Sequence, residues 1–397
     1  MEDETKVGPL ESVRVLDFTQ YMQGPWATQL FGDMGADVIK VEPPWGDWER
    51  GYTFDDVWPG GQSALFLAMN RSKRSIVIDL KTDEGRRVAL RLAADADVVI
   101  ENGRPGVMER LGLAYDDVRA LNPSIVYASA TGYGPDGPYA RRPGQDLLIQ
   151  SLSGLASMTG PLEGSPTPAG TAIADEMGAK TLATAVLLAL FHRERTGEGQ
   201  RVEIDLFDVL IDCQCQEFSA FLNGGPDPIR SRLAHAMSPA PYGIYETADG
   251  FLAVAMADLP PLGEIVGKPE LAAYPDLAAA FDHREAIREL LAEALATKTT
   301  EEWTSILEAR DVWCAPVQDY AAVVRDPQVE HNGTFASFEH PTAGTVRVTR
   351  TPIRMSATPP SIRRPSPLLG EHTDEILRQA GFAETEINAL RDAGAVA

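Results

Sequence analysis

Residues 13–42 read VRVLDFTQYMQGPWATQLFGDMGADVIKVE, and this stretch decides the fold class. Val13 to Phe18 is a short apolar run of strand length, rich in β-formers. Gly24 and Pro25 open a helical stretch that continues to Met34, and Gly35 ends it. Asp37 to Glu42 (DVIKVE) is a second strand. The pattern repeats downstream: Ser75 to Leu80 (SIVIDL) reads as a strand, Glu84 to Ala94 as a helix, and Asp97 to Glu101 and Ile125 to Ser129 as further strands. Short apolar strands alternating with helices specify an α/β fold, with a mostly parallel sheet covered on both faces. Ligands of such sheets sit at the carboxyl ends of the strands. The first strand is followed by Thr19-Gln20-Tyr21-Met22-Gln23-Gly24-Pro25 rather than G-x-G-x-x-G, so no NAD is expected.

Further along, Asp175 to Phe191 (DEMGAKTLATAVLLALF) reads as a helix apolar on most faces, and such helices are normally buried. Arg193, Arg195 and Gly197 mark its end. A strand at Arg201 to Ile204 and one helix from about Leu206 to Leu222 follow. Asn223-Gly224-Gly225-Pro226-Asp227-Pro228 is dense in breakers and reads as a linker. A hairpin comes next, Tyr242 to Thr247 and Phe251 to Met256 around Ala248-Asp249-Gly250. Helices at about 284–296 and 301–310 and a strand at Val312 to Val317 complete a smaller α+β region. The last section holds strands at Thr334 to Glu339 and Thr345 to Thr349. Two short helices close it, the first capped by Thr373 or Asp374. The expected domains are therefore 1–225, 226–325 and 326–397.

Of the 397 residues, 44% are hydrophobic and 23% charged, the composition of an ordinary globular chain. The formal charge of −23 argues against general binding to nucleic acid or to an anionic membrane. An anionic ligand then needs a local concentration of cations. Residues 71–110 supply one, with nine Lys/Arg against seven acids. The opening MEDETKVGPL lacks an apolar core of the secretory type, and the longest apolar run, Leu182 to Phe191, is about half a membrane span. A cytoplasmic protein is expected. Cys213, Cys215 and Cys314 are too few for a disulfide framework, and C-x-C without neighbouring His is a poor metal signal. They are expected to be core thiols, with no metal.

Several phrases, in order, resemble family III CoA-transferases, the family of crotonobetainyl-CoA:carnitine, formyl-CoA:oxalate and bile-acid CoA-transferases. They are LESVRVLDFTQYMQGPWATQLFGDMGADVIKVEPP, NRSKRSIVIDLKTDEG, ENGRPGVMERLGL, TGYGPDGPYARRPGQDLLIQSLSG, GTAIADEMGA and LLGEHTDEIL, spanning about residues 10–390. The resemblance implies a Rossmann-like large domain built from both chain ends, a smaller middle domain and an interlocked homodimer. It also implies coenzyme A and acyl-CoA as substrates and a carboxylic acid as acceptor. It selects Asp175 as the carboxylate that carries the acyl group and then CoA. From the residues alone, Asp175 reads first as a helix cap. At a helix start its ionised form is favoured, and backbone N–H groups nearby are available to a developing oxyanion.

By the same resemblance Met22, Gln23, Ile78, Asp79, Leu80, Lys81, Asn102, Gly103, Arg104, Arg110, Arg142, Pro143, Gly144 and Gln145 fall on CoA-contacting positions. Arg86, Arg87 and Arg91 read as a solvated helix face. The chain departs from the formyl-CoA:oxalate pattern, with Pro43 in place of Arg, Gln20 in place of His and Met22 in place of Gln, which disfavours oxalate. A racemase of the same fold would need an acid–base pair, with His in the phrase that here reads Gly144-Gln145-Asp146. Gln cannot titrate, so racemisation is disfavoured. A CoA-binding protein without catalysis is the alternative from another class, and the presence of Asp175 argues against it. Donor and acceptor acids are not specified.

Overall fold

The computed structural model describes residues 8–231 and 234–397, which fall into two compact units. The first comprises residues up to Ile149, Ala172–Cys213 and Glu330–Ala397; the second comprises Gln150–Thr171 and Gln214–Val329.

The first unit is built on a six-stranded sheet. Its strands are β1 (Arg14–Asp17), β2 (Asp37–Glu42), β3 (Lys73–Val77), β4 (Val98–Glu101), β5 (Val126–Thr131) and β6 (Arg201–Asp205). Every pairing is parallel, in the order β3-β2-β1-β4-β5-β6. This is a doubly wound sheet whose strand order reverses between β1 and β4, the switch point where such folds bind ligands. The parallel sheet expected from the sequence is present. Neighbouring strand residues point to opposite faces, so Val15, Val98 and Ile100 pack with the helices Gln23–Asp33 and Ile173–Thr196, while Leu16 and Val99 pack with Asp83–Ala94 and the C-terminal helices. Burial on both faces makes these strands read as continuous apolar runs.

The second unit carries the antiparallel sheet β7 (Gly243–Glu246), β8 (Phe251–Val254) and β9 (Cys314–Pro316). The helices Leu259–Val266, Arg284–Leu295 and Thr300–Glu308 pack around Leu252, Ile287 and Leu307, all fully buried. Back in the first unit, β10 (Phe335–His340) and β11 (Gly344–Thr349) form a hairpin. The return segment then seals the outer edge of β3: Ser72 N–H donates to Arg364 O and His372 N–H to Ser75 O.

Local expectations differ from the structure at four places. The third strand starts at Lys73 rather than Ser75, because Lys73 and Arg74, both buried, find ion-pair partners in Asp17 and Asp37. The stretch Leu206 to Leu222 is two helices, Leu206–Asp212 and Cys215–Leu222, broken at Cys213-Gln214. Cys213 and Cys215 are exposed and so are not core thiols, while Cys314 is half-buried against the core of the second unit; Leu206, Val209 and Leu210 supply the buried face of the first of these helices. The long helix buries one stripe, from Ala174 through Gly178, Leu182, Val186 and Ala189, and leaves Leu187, Leu188 and Phe191 exposed. Small residues in that stripe let the helix lie close on the sheet, so its other apolar face is not used within the unit.

Among the described residues no helix is long and apolar enough to cross a membrane, and no group of His, Cys, Asp or Glu is placed to hold a metal ion.

Candidate functional site at the carboxyl ends of the strands

The switch point is organised by a buried charge cluster at the end of β1. Asp17 Oδ1 accepts from Thr19 N–H (2.9 Å), and Oδ2 accepts from Thr28 Oγ1 (2.6 Å) and from Lys73 Nζ (3.2 Å). Lys40 Nζ donates to Thr19 O (3.0 Å) and pairs with Asp47 (2.6 Å). Burial alone would raise the Asp17 carboxyl, but Lys73, Lys40 and the two hydroxyls hold it below the usual range. These contacts fix the turn that follows β1. Across the crevice, Asn102 grips that turn from the end of β4: its Oδ1 accepts from Gln20 N–H (2.9 Å) and its Nδ2 donates to Gln20 O (2.7 Å). Asn102 therefore positions the turn with both ends of its amide.

The helix Ile173–Thr196 brings in Asp175. Its N-cap is Ala172, so Asp175 is the third helical residue and does not cap the helix. That service comes from Asp146, whose Oδ1 accepts from Ala174 N–H (2.7 Å) and Asp175 N–H (3.3 Å). The backbone donors expected for an oxyanion are thus already occupied. The Asp175 side chain is half-buried, and among the described residues no hydrogen bond reaches its carboxylate. Burial, with the like charges of Asp146 and Glu176, pushes its pKa up to about 7. Desolvation outweighs the helix-end effect expected from the sequence, because a partial charge at a helix start is worth less than the loss of water around a carboxylate.

Gln23 opens the facing helix and is 4% exposed. A Cβ placed on Gly178, one turn beyond Asp175, would lie 2.8 Å from Gln23 Nε2; only glycine leaves room for this amide. The Nε2 group has no hydrogen-bond partner among the described residues. An unmet amide donor and an unmet carboxylate therefore lie on adjoining turns of two packed helices.

The other residues singled out from the sequence differ in their surroundings. Ile78 is core, fully buried and bridged to Val396. Met22 sits at the N-cap of the first helix, while Asp79 and Leu80 are half-buried in the turn after β3, where Asp79 Oδ1 accepts from Lys81 N–H (3.0 Å). Gly144 is in the close crossing after β5, where a Cβ on Gly132 would lie 2.5 Å from the Gly144 Cα. Gly103, Arg104, Arg110, Arg142, Pro143 and Gln145 cluster after β4 and β5, and all but Gly103 are exposed. Arg142 lies over the Tyr139 ring (3.9 Å) and Lys81 over Trp45 (4.9 Å).

The cation excess of residues 71–110 is partly spent inside the fold. Arg71 pairs with Asp33, Lys73 with Asp17, and Arg74 with Asp37 and Glu375. Lys81, Arg104 and Arg110 remain exposed around the strand ends. Arg86 pairs with Asp83 and Arg91 with Asp95, as a solvated face would.

The second unit contains a cavity of about 720 Å³, lined by Tyr242, Ile244, Val254, Trp313 and His235 among others. Both ring nitrogens of His235 are engaged. Met237 N–H donates to its Nδ1 (3.2 Å), which leaves Nε2–H to meet Glu217 Oε1 (2.9 Å).

Two site residues escaped the sequence reading. Asp146 acts on a helix 28 residues away, and Glu49 is a sealed carboxyl whose charge interacts with Asp175. Asp146 stands in view only as the neighbour of Gln145, and Glu49 carries no local pattern that marks it.

Comparison with known proteins agrees with this geometry. The profile of CoA-transferase family III matches residues 10–373. The chain is 33% identical to human succinyl-CoA:glutarate CoA-transferase, over 99% of this chain and 91% of that protein. It is 38% identical to succinyl-CoA:mesaconate CoA-transferase of Haloarcula hispanica, over 94% and 97%. The crystal structure of a CaiB/BaiF family protein from Brucella suis superposes with a TM-score of 0.83 at 34% identity, over 94% of this chain and all of that one. An unpaired carboxylate and exposed cations at the switch point of a doubly wound sheet, together with these matches along nearly the whole chain, establish that the protein belongs to CoA-transferase family III and is an enzyme of that type.

Proposed function

We propose that the enzyme moves CoA between carboxylic acids through covalent intermediates on Asp175. The Asp175 carboxylate attacks the thioester carbonyl of the donor acyl-CoA; the C–S bond breaks and CoA leaves as thiolate. The thiolate attacks the Asp175 carbonyl of the mixed anhydride. The donor acid departs with one oxygen that belonged to Asp175, leaving an aspartyl-CoA thioester. The acceptor carboxylate attacks this thioester and the thiolate returns to the acceptor's carbonyl, so acceptor acyl-CoA leaves and Asp175 keeps one acceptor oxygen. No water or net proton is consumed.

The observation that carries this reading is the half-buried Asp175 carboxylate, unpartnered and with its pKa raised to about 7. A carboxylate of raised basicity is a stronger nucleophile once ionised, and partial exclusion of water protects an anhydride. With Ala174 N–H and Asp175 N–H taken by Asp146, the Gln23 amide is the donor left for the oxygen that gains charge. Lys81, Arg104, Arg110 and Arg142 would meet the phosphates of CoA, whose charge the rest of the acidic chain repels. The homodimer belongs to the same reading; the domain bounds expected at 225 and 325 shift, since Gln150–Thr171 and Gln214–Val329 form the second unit. The exposed face of Leu187, Leu188 and Phe191 supports the homodimer, since a patch of this kind is normally covered by a partner. Cytoplasmic acyl-CoA pools fit the substrates.

Isotope transfer tests the route. With acceptor acid labelled with oxygen-18 in its carboxylate, one label per turnover is expected in Asp175 and, on the next cycle, in the released donor acid. A single turnover that delivers the acceptor's lost label straight to the released donor acid, with none in Asp175, would remove Asp175 from the pathway.

Asp146→Asn provides a second check. It deletes a like charge while its Oδ1 still accepts from Ala174 N–H, so the acid limb of kcat/KM, expected near pH 7, should move to lower pH. An unmoved limb would mean that Asp146 does not act on the titrating group.

A further inference from the structure

Tyr21, in the turn after β1, and Trp48, Tyr52 and Phe54, between β2 and β3, place four aromatic rings in contact on the surface. The centroids of Tyr21 and Trp48 are 5.2 Å apart, those of Trp48 and Tyr52 4.4 Å, and those of Tyr52 and Phe54 6.0 Å. Each ring is 40–52% exposed. Soluble chains do not leave a continuous run of aromatic faces open to water without a use for it.

The location ties this run to the nucleophile. Tyr21 belongs to the turn after β1 whose Gln20 is gripped by Asn102, and it adopts a left-handed φ of 64°, a conformation that costs a bulky residue energy and marks functional turns. Two residues on, Gln23 packs against Gly178, one turn from Asp175. Glu49, which follows Trp48, turns inward, is 1% exposed, and its carboxyl feels the Asp175 charge.

The electrostatics around the rings select the occupant. The only basic side chain in residues 45–58 is Arg50. Its guanidinium is engaged with both Glu42 oxygens (2.6 and 2.7 Å) and lies over the Phe66 ring. The remaining charges there are Asp47, Glu49, Asp55 and Asp56, all acidic. Within this segment a second carboxylate on the acyl group would find no free cation and would meet like charge at Asp55 and Asp56; Lys81, the exposed cation placed beside it, lies over Trp45 rather than over the four rings. A flat neutral group would stack.

Building on the transferase reading above, we propose that Tyr21, Trp48, Tyr52 and Phe54 form the wall that receives an aryl or similarly flat apolar acyl group and discriminates against dicarboxylic acyl groups.

The test pairs turnover with binding. Turnover is measured for benzoyl-, cinnamoyl-, succinyl- and glutaryl-CoA, and binding for the unreactive thioethers S-benzyl-CoA and S-(2-carboxyethyl)-CoA. The wild type should favour the aryl member of each set by about tenfold or more. Trp48→Ala should shrink that ratio by about tenfold, and Trp48→Phe should restore most of it. A wild type that prefers the carboxylated ligands, a ratio unchanged in Trp48→Ala, or a changed oligomeric state with no change in ratio would each overturn the wall. Thioether binding keeps the proposal separable from the transferase reading. Selective S-benzyl-CoA binding without any transfer would leave the wall standing and defeat the covalent mechanism.

Discussion

Asp175→Asn will abolish transfer and make the protein more stable at neutral and alkaline pH. The loss of activity follows from removing the atom that forms the bond; deletion of a nucleophile costs several orders of magnitude, and a reduction of at least about 10⁴-fold is expected. CoA binding should change little, because the exposed cations are untouched. The gain in stability follows from the raised pKa. The folded protein holds this carboxyl at about 7, against 3.8 for the free group. Between these values the folded state binds more protons than the unfolded one, so stability falls as pH rises from about 4 to about 7 and then levels off. Below pH 4 both states are protonated and the substitution changes nothing. Above pH 7 the wild type carries the full cost of an ionised, poorly solvated carboxylate, at most about 4 kcal/mol at 1.36 kcal/mol per pKa unit. Thermal melts of wild type and Asp175→Asn at pH 5, 6, 7 and 8 read the effect as a widening gap in favour of the variant. A constant gap, or one that favours the wild type above pH 7, would show that Asp175 is not held in a desolvated place.

The opposite outcome is expected at Asp17, where the carboxylate is fully buried and every partner is in place. Asp17→Ala leaves the Lys73 ammonium, fully buried itself, facing Lys40 with no anion between them, and leaves the Thr28 hydroxyl without its carboxylate. Breaking a buried ion pair from one side costs about 3–5 kcal/mol, because the surviving charge stays desolvated. Urea unfolding followed by circular dichroism should show the midpoint of the first unit falling accordingly. Asp17→Asn, close in shape, should recover only part of the loss. The Asp17 pKa is depressed, so this contribution is present above the ordinary carboxylate value and is lost as pH falls below it. A midpoint within about 0.5 kcal/mol of wild type would show the cluster to be dispensable. CoA affinity should fall with it, since Asp17 and Lys40 hold the turn that reaches the switch point.

What the sequence displays locally, it displays well. Val15, Leu16, Val98 and Val99 belong to runs buried on both faces, and that pattern is legible as a parallel sheet. Strand order is not legible, because nothing near Val15 says that Val38 and Val98 flank it. The early start of β3 shows the same limit. Lys73 and Arg74 look like solvent residues until Asp17 and Asp37 arrive from elsewhere in the chain. The local cation excess was visible in residues 71–110, but Arg71, Lys73 and Arg74 are spent on ion pairs within the fold. At the site, Asp175 emerged through family resemblance, since 58 acids compete for notice. Asp146, which holds the start of the Asp175 helix, and the aromatic run from Tyr21 to Phe54 exist only after folding.

The central claim is that one side chain carries CoA covalently. Enzyme incubated with donor acyl-CoA in the absence of acceptor, quenched with acid and digested, should yield the peptide containing Asp175 heavier by one CoA less one water. Treatment with hydroxylamine should convert that adduct to the hydroxamate. Rapid transfer in the complete reaction with this peptide unmodified, or with the label on Asp146, Glu49 or Glu176 instead, would contradict the account.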